Sequence, residues 1–236
     1  MKLTSEEKRK VVSCCNGNLI PDHDFDWVHN YPREWFQQKF DFIPDERLKE
    51  HLGDEFYQTR FAYTLMQTLS LPMSKNKGII KFQIIQYASI CEALLNYTLE
   101  HYFKETFENQ FAAVTFKKCS QALTEKTKIT YDGKALYLCD TKSEKAKIEW
   151  TANPVKADFA LENGILSETT KEKYCELYDL RNNAHILKAA RADYYPRLKD
   201  ASAAYELAVQ FIEEIRAYFN AHTRVFPKFC VKSRQL

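Results

Sequence analysis

At 236 residues the chain is long enough for one sizeable core. Hydrophobic residues at 45% and charged residues at 28% are the balance of a soluble globular protein, and a net charge of +2 gives no global field that demands nucleic acid. The 7 Cys are odd in number, irregularly spaced and without a CxxC pair, which argues against a disulfide framework or a zinc site and fits a reducing cytoplasm.

Met1 to Asn18 is charged at its start and lacks an apolar run, so no signal peptide is expected. No stretch reads as the ~20 apolar residues of a membrane helix. Residues 1 to 44 read as irregular, with Phe25, Trp27, Tyr31, Trp35 and Phe36 packing on the main body. Within them, Asp22-His23-Asp24 and His29 lack a second group at ligand spacing, so no metal is expected. From Pro44 a helix is predicted, broken near Gly53 and ended by Pro72.

The strongest helix follows, predicted over Ile79–Phe103. Ile80, Ile84, Tyr87, Ala88, Cys91, Leu94, Leu95, Thr98, Leu99 and Tyr102 form its broad apolar face, the pattern of a helix at the centre of a bundle. Asp132–Gly133 is a two-residue hairpin turn, and a single short hairpin is predicted over Thr127–Asp140. Such a hairpin is marginal alone and must pack on the bundle or on a partner.

Beyond Pro154 helix resumes, stops at Asn163–Gly164, and restarts after Ser167, where Ser167, Thr170 and Glu172 supply capping chemistry. Lys171–Ala189 and Ser202–Asn220 complete the predicted helices, with Cys91 and Cys175 as small core residues. The resulting fold class is an all-α antiparallel bundle with a small β-hairpin insertion. Residues 1–70 form an N-terminal extension and residues 71–236 the helical domain, with the insertion at about 127–140.

One segment departs from this plain pattern. LRNNAHILKA, Leu180 to Ala189, places an arginine, two asparagines and a histidine in a stretch that otherwise reads as helix core. Asparagine competes for backbone hydrogen bonds and is a poor helix former, so two in a row invite a use. On a helix Arg181 and His185 share a face one turn apart. A plain structural reading pairs Arg181 with Asp179 or Glu176 and makes His185 a satisfied core histidine. A chemical reading is also open. An imidazole exchanges a proton near neutral pH, and a guanidinium grips phosphate with two parallel donors. With an orienting amide, the pair suffices to make a ribose 2′-hydroxyl attack its own phosphate, without a metal or other cofactor. One histidine per chain scarcely provides both acid and base, so two chains are expected to pair.

LYDLRNNAHI, with its amphipathic lead-in from Gly164 and a long helix after it, resembles the signature region of the HEPN superfamily (higher eukaryotes and prokaryotes nucleotide-binding). QYASICEALLNYTLEHYF resembles that family's early core helix. The resemblance runs over roughly Ile79 to Phe219, outside the hairpin. It implies a helical bundle acting as a metal-independent endoribonuclease in the cytoplasm, as a homodimer. It also implies RNA as substrate and an antitoxin or phage-defence protein as partner. By the same likeness Arg181, Asn182 and His185 are the catalytic residues, and Glu92 stands where some members carry an acidic residue, a core-edge carboxylate that would pair with Arg181 and orient it, with Asn183 in support. Here Asn182, Asn183 and Ala184 separate Arg181 from His185, a shorter gap than is usual in the family, and Leu187 replaces a tyrosine that some nucleases carry. Lys188, Arg191 and Arg197, with Lys199, would rim an RNA-binding face, and Tyr194–Tyr195 would stack bases or anchor a turn. No Gly-rich phosphate loop occurs, which argues against a P-loop or Rossmann enzyme. The alternative is a non-catalytic helical module that holds a nucleotide, RNA or a protein in the same groove.

Overall fold

The computed structural model describes residues 3–17, 32–72, 76–122, 130–184, 190–191 and 194–222. Among them are seven α-helices: α1 Ser5–Gly17, α2 Pro32–Gln38, α3 Glu46–Thr68, α4 Lys77–Gln110, α5 Asn153–Glu162, α6 Glu168–Asn183 and α7 Leu198–His222. The chain is mostly helical, with strands confined to residues 113–144. It divides into two compact units, one of Met1–Leu95 with Asn153–Leu236, the other of Asn96–Ala152.

In the first unit, α1 and α2 replace the irregular N-terminus expected from the sequence. Their aromatics do pack inward: Phe36 is buried and meets Phe56 edge-on at 5.3 Å. Phe25, Trp27 and Tyr31 lie outside the described residues. Helix α3 begins at the Asp45 cap, whose carboxylate accepts from Leu48 N–H. It runs through Gly53 without a break. A Cβ there would come within 2.6 Å of Gln37 Cγ and 2.7 Å of Gln37 Cα, so the glycine serves close approach of α2 rather than a bend. The helix stops before Pro72, where Ser70 takes φ +48° and Leu71 N–H reaches back to the Met66 carbonyl.

Helix α4 outruns its predicted bounds and is buried around much of its girth. Gln83, Ile84, Tyr87, Ala88, Ile90, Cys91, Leu94 and Leu95 are all buried. Contrary to the sequence expectation, its length and composition would suffice to cross a membrane; half of its most apolar stretch is buried inside the protein. Phe56, Tyr87 and Tyr205 form an aromatic cluster joining α3, α4 and α7. Helix α5 ends at Gly164 (φ +67°), with Ile165 N–H bonded to the Ala160 carbonyl, the stop expected at Asn163–Gly164. Helix α6 begins where capping chemistry placed it: Ser167 Oγ accepts from Thr170 N–H, and Glu214 of α7 accepts from Ser167 N–H and both hydroxyls.

In the second unit the hairpin is longer than the sequence suggested. The turn at Asp132–Gly133 (φ 48° and 70°) is the predicted one, joining β2 Thr130–Tyr131 to β3 Lys134–Ala135. Beyond it β1 Ala113–Ala122 pairs antiparallel with β4 Tyr137–Glu144, so the ribbon starts well before residue 127. Its described side chains remain exposed, among them Val114, Phe116, Tyr131 and Leu138. Residues 123–129 lie outside the described set.

Candidate functional site

Three helices of the first unit bring the candidate residues together. On α6, Tyr174, Tyr178 and Arg181 follow at helical spacing, and the guanidinium lies 5.2 Å from the centroid of the Tyr178 ring. Arg181 closes the last turn of α6, where a cation also suits the negative end of the helix. Its Nη1 donates to Glu92 Oε2 of α4 at 2.5 Å. The other carboxylate oxygen, Oε1, accepts from Asn153 Nδ2 of α5 at 3.2 Å. Of the acidic partners that the sequence offered to Arg181, the structure takes the distant Glu92 rather than Asp179 or Glu176. About a quarter of each ion-pair side chain is exposed, 29% for Arg181 and 23% for Glu92.

A second cation completes the cluster. Lys156, one turn along α5 from Asn153, has no exposed surface. Burial lowers its pKa, the charge of Glu92 opposes that shift, and the charge of Arg181 adds to it. The Glu92 carboxylate thus lies in the field of two basic groups, Arg181 and Lys156. Two polar atoms at the site are buried and unmatched: Asn153 Oδ1 and the Tyr174 hydroxyl. Burial, then the neighbouring Cys91 and Glu92, push the Tyr174 phenol far up, so it stays a neutral donor. Burial likewise raises the Cys91 thiol. A guest carrying both an acceptor for the Tyr174 hydroxyl and a donor for Asn153 Oδ1 would satisfy these two atoms.

The remaining sequence candidates divide. Asn182 and Asn183 are half-buried in the last turn of α6, beside Arg181. His185, Leu187 and Lys188 lie outside the described residues. Arg191 is exposed. Arg197 is also exposed, with its Nε 3.7 Å from Asp200 Oδ2 just ahead of α7. Tyr194 is half-buried beside that aspartate, its phenol pushed up to about 12 by burial and the carboxylate charge, while Tyr195 is exposed beneath Lys77. Turn anchoring suits the first and leaves the second open to solvent. Among the described residues no cluster of three or more His, Cys, Asp or Glu is set to hold a metal ion.

Sequence reasoning missed Asn153 and Lys156, and a signal for them existed. Positions 153, 156, 157 and 160 fall on one helical face, and Asn153, Lys156, Ala157 and Ala160 are all buried. A lysine on the inward face of a helix with Phe159 and Ala160 is costly unless a carboxylate stands near it. Compared with models of known protein families, with curated proteins and with solved structures, the chain matches none.

Proposed function

We propose that the chain is a metal-independent endoribonuclease of the HEPN type, acting as a homodimer in a toxin–antitoxin or phage-defence setting. The observation that carries this reading is the charge balance at the end of α6. Arg181 is held by Glu92, with the buried Lys156 in the field of both, directly before the segment that contains His185. A guanidinium suits a phosphodiester, and this one is held in place before substrate arrives.

The chemistry follows from these groups. One imidazole, His185, takes the proton of the ribose 2′-hydroxyl as its oxygen bonds to phosphorus. The bond from phosphorus to the 5′-oxygen breaks, and that oxygen receives a proton from the acid, assigned to His185 of the partner subunit. Arg181 stabilises the charge on the non-bridging oxygens, and Asn182 orients the substrate. Glu92 and Asn153 position Arg181 and touch no substrate. The nucleophile belongs to the RNA, so the step itself calls for no metal.

The test is cleavage of a defined RNA by purified protein. Arg181→Ala and His185→Ala should each lower the rate by about 10²–10⁴-fold with the fold intact. Cleavage should survive excess EDTA, leave a 2′,3′-cyclic phosphate and fail where the cut site carries deoxyribose. EDTA-sensitive cleavage, or equal cutting of DNA, would overturn the assignment. A second reading has its own observation: the Arg181–Glu92–Asn153 contact ties α4, α5 and α6 together whether or not a substrate binds. On that reading the chain is a non-catalytic HEPN-like module that binds a nucleotide, RNA or a protein, no RNA is degraded, and His185→Ala leaves its cellular effect unchanged.

A further inference from the structure

A second site lies elsewhere in the same unit, where α3, α4 and the start of α7 enclose a cavity of about 500 Å³. That volume is in the range of pockets that hold small organic molecules. Its wall carries Gln83, only 2% exposed, whose amide nitrogen has no hydrogen-bond partner among the described residues. Arg60 lines the same cavity, and its buried Nε–H is also without an acceptor. The Arg60 guanidinium is held 4.6 Å from the Tyr205 ring centroid and 5.1 Å from that of Tyr63. Aromatic faces fix the cation without satisfying its N–H groups. Buried donors in native proteins are nearly always matched, so two unmet ones in one cavity wall call for an acceptor.

The chemistry of the missing acceptor can be narrowed. The first turn of α7 forms part of the wall and brings the positive end of that helix to the cavity. At the exposed rim stand Lys199 and Glu206, whose charges offset each other and leave the Arg60 charge as the net balance. One net positive charge matches a monoanion better than a doubly charged phosphate. Tyr63, Tyr87 and Tyr205 supply apolar faces for a ring. We propose that this cavity binds an aromatic monocarboxylate, its carboxylate accepting from Arg60 Nε and Gln83 Nε2 and its ring packed among the three tyrosines. The proposal is independent of the RNA-cleaving reading, since none of its residues belongs to the Arg181 cluster.

Calorimetric titration of the full chain with benzoate, indole-3-acetate and 1-naphthoate tests it, alongside 1-naphthamide and inorganic phosphate. At least one acid should bind with a Kd below about 1 mM and raise Tm. Hydrogen bonds to a charged group are strong enough that Arg60→Met and Gln83→Leu should each weaken binding about tenfold to a hundredfold. The neutral naphthamide should bind more weakly than its acid. Without ligand, Gln83→Leu should raise Tm, because it removes an unmet donor; a residue serving packing alone would change stability and leave affinity untouched. The proposal is overturned if none of the three acids binds, or if phosphate displaces them at equal concentration. It is equally overturned if naphthamide, or the Gln83→Leu protein, binds as well as the reference. Should Arg60→Met fail to fold, the acid–amide comparison on the unaltered chain reads the same charge.

Discussion

The Glu92 carboxylate faces two cations, so its removal and the removal of one cation should be unequal. Glu92→Gln keeps the shape but removes the charge that pairs with Arg181 and offsets the burial of Lys156. Arg181→Met leaves Glu92 still matched by Lys156 and by the Asn153 amide. Two unit charges about 4 Å apart attract by about 4 kcal/mol at an effective dielectric of about 20. Partial exposure of both side chains and the cost of stripping water from them remove much of that, leaving a coupling of about 1–2 kcal/mol. Urea denaturation of wild type, both single variants and the double variant reads this coupling as a cycle. Glu92→Gln should cost about 2–3 kcal/mol and Arg181→Met about 1–2 kcal/mol. For a chain of this length each kcal/mol corresponds to a fall of about 2–4 °C in Tm. A coupling below about 0.3 kcal/mol, within the scatter of independent sites, would show that the pair is a surface contact of no consequence. Equal losses from the two single variants would refute the shared-carboxylate account.

Lys156 should leave a signature in pH. Its folded pKa is lowered from 10.5, so the unfolded chain binds the extra proton between the two values, and stability gains as pH rises through that window. Urea midpoints of wild type should therefore improve relative to Lys156→Met as pH rises above neutrality toward 10.5, and a constant or worsening difference would contradict the burial of that lysine. Gly53→Ala should lower Tm, because the new Cβ meets the Gln37 backbone within 2.7 Å. The ~1 kcal/mol of helix propensity gained is outweighed by ~1–3 kcal/mol of overpacking; a rise in Tm on calorimetry would show that α2 yields freely.

Legibility of the fold followed how many independent signals each stretch carried. Helix α4 announced itself by an apolar face, α6 by Ser167 and Thr170, and the turn by Asp132–Gly133, whose positive φ values are those of a tight hairpin. Strand β1 escaped because AVTFKKCSQA shows no apolar–polar alternation, and the alternation is missing because the described residues of both ribbon faces are exposed. Gly53 misled for a different reason. A glycine in a helix is costly either as a break or as a point of close approach, and only the Gln37 neighbour distinguishes the two. At the candidate site, the Arg181–Glu92 pairing was one of the acidic pairings that the sequence left open, beside Asp179 and Glu176. Asn153 and Lys156 were passed over, because polar residues flanking Pro154 at a helix start read as solvated.

The geometry of α4 explains why both polar sites could be built on one apolar helix. Gln83 and Glu92 differ by nine positions, which at 3.6 residues per turn sets them on opposite sides of the helix and about 13 Å apart along it. Each therefore meets different neighbours. Gln83 turns to the cavity walled by α3 and α7, Glu92 to Asn153 of α5 and Arg181 of α6. A helix buried on one side only would have sent one of the two residues to solvent, where neither an unmet amide nor a shared carboxylate would cost anything. Burial around the helix makes both expensive, and the expense is tolerable in different ways. Glu92 is compensated within the chain by Arg181, Lys156 and Asn153. Among the described residues the Gln83 nitrogen has no such partner, so a ligand acceptor in the cavity would supply for it what Arg181 and Asn153 supply for Glu92.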